Sequence, residues 1–519
     1  MNWKTLQHSG IHFPPEHEVK GFKIKVKGKQ VNLTPLQEEM AYQWAKKKDT
    51  PYAQDKVFQK NFARDFAKEL GIKLLYKDLD FSEAYRLVDM EKDKKDMMTK
   101  EEKKEIAAKR KEIREGLKAK YGIAVMDGKE VEIASYMAEP PGIFIGRGKH
   151  PLRGKWKRRI GPQDVVLNMG TKAKAPPGKW KKIVHEKDGI WIAKWTDNLV
   201  KKDKYVWLAD TAGLKQERDR SKYEKAVALS KKIGEIEAKI VKDMKSKDPK
   251  ISKIATACYL IYRTAMRVGD EKDKDEADTV GATTLRKEHI RISDGVIEFD
   301  FLGKDSIRWN EKLKVTGDDE QFSRNLQGLV KSIKPKDEIF KDIRSSDVNR
   351  YYSGIVKGVT AKVFRTYLAS KKVSEYLRKN DKIRSKSAFF KLYHAKSANL
   401  EAAIMCNHKR TVPKTFKKAL EKKKETLKKA KGATPKTDKQ KERKKERIEK
   451  IGLQIKLAQN TRDYNVGTSL RNYIDPRIFK AWTDEVGAEW EKLYTTALQR
   501  KFLWVRDEKE PWKKVSKQY

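Results

Sequence analysis

The chain has 519 residues, with 121 Lys and Arg against 74 Asp and Glu, a formal charge of +47. Hydrophobic residues make up 38%, with 12 Trp, 19 Tyr and 17 Phe, so cores can form and a wholly disordered basic tail is excluded. Only two cysteines, Cys258 and Cys406, are present, which excludes a disulfide framework and points to a reducing compartment. The length corresponds to about three or four domains. No run of about 18 apolar residues offers a membrane span, and the first residues lack a signal peptide's apolar stretch. Charge this high favours a polyanionic partner, nucleic acid before membrane, because the basic residues are spread along the whole chain.

Residues Phe22 to Lys27 alternate like a strand, and Gly28 supplies a turn. Thr34, Pro35 and Gln37 form a helix start, and Thr99 with Glu102 predicts a second, charged helix running to about Lys120. Pro140-Pro-Gly142 breaks the chain before a dense basic stretch, 146–159. Strand-like runs follow at 190–195 and 205–208, then helical segments at 218–244 and 251–267. The second of these buries Ile254, Cys258, Ile261 and Ala265. Runs 296–302 and 306–309 read as a hairpin with Gly303-Lys-Asp305 at its tip. Helices occupy 320–410. Residues 414–457 hold 18 Lys and Arg against 6 Asp and Glu. They read as two helical arms, with Phe416, Leu420 and Leu427 facing Ile448, Ile451 and Ile455; the alternative is a disordered basic linker. Asp475-Pro476 starts a helix, so Tyr473 sits at a junction between two short helices.

There is no GxxxxGK[ST] loop, no Cys-x-x-Cys and no metal-ligand spacing among the eight His. Chemistry on a phosphodiester would therefore use side chains alone: cations, a nucleophile and an acid, with no cofactor and no obligatory metal. Seven segments bear on this. They are Glu139–Arg147, Lys157–Ile160, Met266–Lys272, Phe299–Arg308, Thr360–Tyr367, Cys406–Arg410 and Gly467–Arg477, the last containing Asn-Tyr-Ile-Asp-Pro-Arg. In that order they resemble the type IB DNA topoisomerases of the eukaryotic kind, over nearly the whole chain.

The resemblance implies an α+β multidomain clamp. It would comprise a mixed cap lobe (1–165), a largely helical catalytic core related to tyrosine recombinases (166–412), an antiparallel helical-hairpin linker (413–460) and a C-terminal domain carrying the nucleophile (461–519). It implies relaxation of supercoiled duplex DNA, without ATP, through a 3′-phosphotyrosine link. Tyr473 matches the nucleophile; Arg267, Arg365 and His408 match the groups around the nonbridging oxygens; Lys304 matches the general acid. Two guanidiniums suit the extra charge of a phosphorane, and a lysine on a hairpin tip can deliver a proton in a groove. DNA contacts are expected from Arg147, Lys149, Lys157, Arg158, Arg159, Lys204, Tyr205, Lys222, Lys272, Thr279, Asp305, Lys362 and Asn472. Most would be phosphate contacts, which give affinity without sequence choice.

Taken singly, these residues read otherwise. Tyr473 reads as a tyrosine packing a helix junction, Arg267 and His408 as compensation for helix C-termini, Arg365 as a solvated arginine and Lys304 as a polar turn residue. The family usually shows Arg where Ile145 stands, and a basic-then-apolar pair where Leu470-Arg471 stands. The long charged N-terminal tail of nuclear members is absent from this sequence and the 414–457 arm is short, which fits a compact, archaeal-type member. The expected setting is intracellular and DNA-associated, in the nucleoid if archaeal and the nucleus if eukaryotic, as a monomer on duplex DNA without a membrane. Two rivals are a tyrosine recombinase and a non-enzymatic architectural protein. Lys362 stands three residues before Arg365, where recombinases mostly place His, and the basic arm before Tyr473 is not a recombinase feature.

Overall fold

The Thr34 hydroxyl accepts the Gln37 N–H at 3.4 Å while the Gln37 side chain accepts the Thr34 N–H at 2.9 Å, so helix Pro35–Ala45 begins where the sequence placed it. The same reciprocal pair joins Thr99 and Glu102 at the start of helix Lys100–Tyr121, in which no residue is buried. The computed structural model describes residues 2–146, 148–269, 280–303 and 307–519. They divide into one unit up to Lys215 and another from Gln216 onward, together a mixed α+β protein. Among the described residues no helix is long and apolar enough to cross a membrane.

The first unit holds two cores. In one, Trp44, Phe58, Phe62, Phe66 and Phe81 are fully buried or nearly so, with Trp44 stacked on Phe62 at 4.5 Å. Burying each such ring is worth about 1.5–3 kcal/mol. A small sheet, Ile24–Val26 paired to Lys29–Val31 and Leu79–Asp80, covers this core. Its hairpin turns through Lys27 and Gly28, both at positive φ, as a two-residue turn matching the strand twist requires. The second core gathers Trp3, Leu6, Leu167, Ile192 and Val206 beneath a four-stranded sheet. The strand order there is Lys182–Val184, Val166–Asn168, Trp191–Thr196, Asp203–Trp207.

In the second unit a three-stranded meander, Ile290–Ser293, Val296–Gly303 and Ile307–Lys314, packs with helices around Phe299, Tyr352, Phe364 and Trp482. The predicted hairpin is present, in register to Gly303↔Ile307. The predicted helix 218–244 is two helices, Gly213–Lys231 and Ile233–Met244. The following helix, Pro249–Thr264, ends earlier than 267, because Ala265 turns left-handed at φ 51°. Ala265 is still buried, so the apolar spacing reported burial rather than helix. Helices Asp319–Lys331, Ser345–Ile355, Ala361–Arg378 and Ala388–Met405 fill the expected helical stretch.

Residues 414–457 are ordered as helical arms, Phe416–Gly432 and most of Asp438–Asn460. Leu420, Leu427 and Ala430 meet Ile448, Ile451 and Ile455 across the seam, while Phe416 stays outside that cluster. The second arm leans on helix Ala388–Met405: Ser387 donates to Glu449 at 2.6 Å, and the Lys450 ammonium lies 4.0 Å from the Phe389 ring centroid.

Candidate active site

Helix Ala388–Met405 ends in a Schellman motif. Asn407 takes φ 50°, its N–H bonds the Ile404 carbonyl at 2.9 Å, and the His408 N–H reaches back to Ala403 at 2.8 Å. Asn is among the few residues other than Gly that tolerate this conformation, so Cys406-Asn-His408 is a helix stop that sets the imidazole's direction. His408 therefore lies three residues beyond the helix, not in its last turn. Arg267 likewise lies three residues beyond Thr264. Its carbonyl accepts the Ala282 N–H at 2.8 Å, and Gly269 packs so closely on Gly281 that a Cβ on Gly281 would meet Gly269 backbone at 2.4 Å.

Tyr473 sits at the C-cap of helix Val466–Asn472, with its N–H on the Ser469 carbonyl at 2.9 Å. Two residues on, Asp475 caps helix Pro476–Val486, as the sequence predicted. The Leu470-Arg471 order suits this helix: Leu470 is buried in the core and Arg471 is exposed.

These segments converge. Arg365, only 3% exposed on helix Ala361–Arg378, donates from Nη1 to the Tyr473 hydroxyl at 3.3 Å and from Nη2 to the Cys406 carbonyl at 3.0 Å. It is not a solvated arginine; it satisfies a terminal carbonyl of the helix leading to His408. The His408 and Tyr473 rings lie 5.4 Å apart. Arg267 and Arg365 line one small cavity with Cys406, Asn407 and the strand ends Gly303 and Ile307. Lys304 lies between those strand ends in sequence, outside the described residues, as do Arg147, Lys272, Thr279 and Asp305.

The electrostatics are one-sided. Burial, reinforced by Arg365 and Arg267, pushes the His408 imidazole down to about 3, so it is neutral at pH 7. Arg365 Nε and both His408 ring nitrogens are buried, with no hydrogen-bond partner among the described residues. Buried donors are rarely left unmatched. An anion with several oxygens beside the Tyr473 hydroxyl would accept from Arg365 Nε and from the single N–H of the neutral His408 ring.

Of the expected DNA contacts in this unit, Lys222 donates to the Asn472 carbonyl at 3.3 Å and to Asp219 at 3.1 Å. Burial, opposed by Asp219 and aided by Lys501 and Lys362, lowers Lys222 to about 8. Lys362 is exposed and Asn472 half-buried. In the first unit Lys149 is exposed, and the Tyr205 ring lies 4.9 Å from that of Trp207, tilted by 30°. Three neighbours there already have acidic partners: Lys157 with Glu139 and Asp197, Arg158 with Asp164, Arg159 with Glu39. Sequence reasoning did not single out Asn407, nor Ser370 and Tyr519, whose hydroxyls bond the Tyr473 carbonyl and the Asp475 carboxylate. Asn407 alone had a readable signal, as an Asn just past an apolar helix.

Sequence models of three families match the chain. The model described as eukaryotic DNA topoisomerase I, DNA binding fragment, matches residues 1–208, and the catalytic core of the same enzyme matches 211–441. A C-terminal topoisomerase domain matches 445–514. The chain belongs to the eukaryotic DNA topoisomerase I family. It is 38% identical to DNA topoisomerase 1 beta of Arabidopsis thaliana, over 97% of this chain and 58% of that protein. It is 36% identical to DNA topoisomerase 1 of Homo sapiens, over 98% of this chain and 71% of that protein. The Caenorhabditis elegans protein of the same name is 36% identical, over 98% of this chain and 67% of its own length. Within this topoisomerase family, the junction tyrosine and the two arginines of the cavity belong to the catalytic-core and C-terminal matches.

Proposed function

We propose that this family member relaxes supercoiled duplex DNA as a type IB topoisomerase. The observation that carries the reading is that, among the described residues, buried Arg365 Nε and the one N–H of neutral His408 have no acceptor beside the Tyr473 hydroxyl. A scissile phosphate there supplies the missing acceptors. Tyr473 attacks phosphorus as its proton passes to solvent, and the bond to the 5′-oxygen breaks, giving a 3′-phosphotyrosine. Arg267 and Arg365 offset the added charge of the phosphorane, and neutral His408 donates one hydrogen bond. Lys304 protonates the departing 5′-oxygen. The free 5′ end swivels and then attacks the phosphotyrosine in reverse. The phosphotyrosyl bond conserves the energy of the broken one, so ATP has no role.

The domain division at 165, 412 and 460 and closure around the duplex as a clamp belong to the same proposal. Exposed Lys149 and Lys362, together with Lys204 and Tyr205, serve as contacts to the DNA; Lys157, Arg158 and Arg159, already ion-paired, act by exchanging partners or by shaping the surface. The protein acts as an intracellular, DNA-associated monomer. Relaxation of a negatively supercoiled plasmid, with EDTA and without ATP, tests the function. A recombinase would join duplexes instead, and an architectural protein would leave the linking number unchanged.

A further inference from the structure

The main chain of Tyr473 leaves its helix at the residue that matters. Its N–H still bonds Ser469, but its carbonyl lies past the helical ladder. That carbonyl accepts from the Ser370 hydroxyl at 3.4 Å, and the same hydroxyl accepts the Asp475 N–H at 3.0 Å. Ser370 is fully buried and lies on helix Ala361–Arg378, five residues after Arg365. One helix therefore holds the nucleophile at both ends: Arg365 at the phenolic oxygen and Ser370 at the backbone.

Asp475 extends the anchor. It is fully buried, and one of its oxygens accepts the Arg477 N–H at 3.0 Å, capping the next helix. The other takes Arg477 Nη2 at 2.7 Å and the Tyr519 hydroxyl at 2.8 Å. Tyr519 is itself buried, its ring 6.5 Å from that of Tyr367 on the Ser370 helix. A buried carboxylate must have its lone pairs met, so losing the Tyr519 donor loosens the cap two residues after Tyr473.

We propose that Ser370 and Tyr519 are positioning residues that fix the direction from which the Tyr473 oxygen attacks. The inference rests on Tyr473 being the nucleophile. Neither hydroxyl bonds the phenolic oxygen; Ser370 acts on the main chain of Tyr473 and Asp475, and Tyr519 acts through the Asp475 carboxylate. Attack geometry is sensitive: a shift of about 1 Å can cost on the order of 10²-fold in rate.

The test uses the full chain and a duplex whose cleaved strand diffuses away, so that the covalent complex accumulates in a single turnover. Ser370→Ala and Tyr519→Phe each delete one oxygen and keep the rest of the side chain's packing. Each should lower the rate constant by roughly 10- to 100-fold, with duplex affinity and final yield of covalent complex near the parent's. A purely structural role would lower the yield, as part of the sample unfolds, and leave the rate constant alone; that result overturns the proposal. So does a rate within twofold of the parent, for the residue concerned. The parent and Tyr473→Phe run alongside. If the parent forms no covalent complex, the functional reading fails, and this is distinguishable from a positioning failure.

Discussion

Arg365 meets Tyr473 twice: Nη1 lies 3.3 Å from the hydroxyl and the guanidinium carbon 4.7 Å from the ring centroid. The donor and the ring contact together leave the phenol little rotational freedom. A permanently charged planar group suits this place, because it can bind the tyrosine oxygen and phosphate oxygens from one fork. The third point of the fork, on Cys406, ties the arrangement to the helix that orients His408.

Tyr473→Phe removes the oxygen and keeps the ring beneath Arg365. Stability should change by about 1 kcal/mol or less, since one partly buried hydrogen bond is lost. Duplex affinity should stay close to the parent's while plasmid relaxation disappears. More than trace relaxation by the purified variant would falsify the assignment of the nucleophile.

The acid and the phosphorane cations can be told apart by changing the leaving group. Lys304→Ala should slow cleavage of ordinary DNA by about 10²–10⁴-fold, the range for a lost general acid. A duplex with sulfur in place of the bridging 5′-oxygen has a leaving group that needs no proton, so on it this variant and the parent should cleave alike. Arg365→Ala should stay slow on both substrates. Failure of sulfur to rescue Lys304→Ala would move the acid's role elsewhere, with Arg267 first in line.

The buried imidazole gives a pH dependence with a definite sign. His408 titrates near 6.5 when unfolded but near 3 when folded, mainly through burial and then through Arg365 and Arg267. The unfolded chain therefore binds the proton first, and stability falls as pH drops below about 6.5 towards 3. His8, lowered to about 4 by burial, adds in the same direction. Without DNA, His408→Gln should lose less melting temperature than the parent between pH 7 and pH 5. Equal losses in the two proteins would mean that His408 is not held neutral.

The helical arms bear on processivity. Binding through many phosphates should weaken steeply with salt as counterions are released. Because Glu449 and Lys450 touch Ser387 and Phe389, a deletion confined to 424–446 spares those contacts. It should leave single-turnover cleavage intact and shift relaxation from processive to distributive at physiological salt. Unchanged processivity and salt optimum would reduce the arms to a tether.

Local chemistry in the sequence settled a good deal by itself. The caps at Thr34, Thr99 and Asp475, the hairpin flanking Gly303, and the seam of Leu420 and Leu427 against Ile448, Ile451 and Ile455 are short-range patterns, and short-range hydrogen bonds and side-chain periodicity enforce them. The ordered motifs also placed the chain in its family. Other features were decided only in three dimensions. Arg365 and Tyr473 are 108 residues apart, and Ser370 and Asp475 are 105 apart, so no local pattern records their meeting. The break after Lys231, the left-handed Ala265 and the ion pairs of Lys157, Arg158 and Arg159 likewise depend on what packs beside them. Burial and electrostatics are properties of assembled neighbours. The same imidazole that titrates near 6.5 in a free chain stays neutral down towards pH 3 only when the core closes over it and two arginines arrive from distant segments.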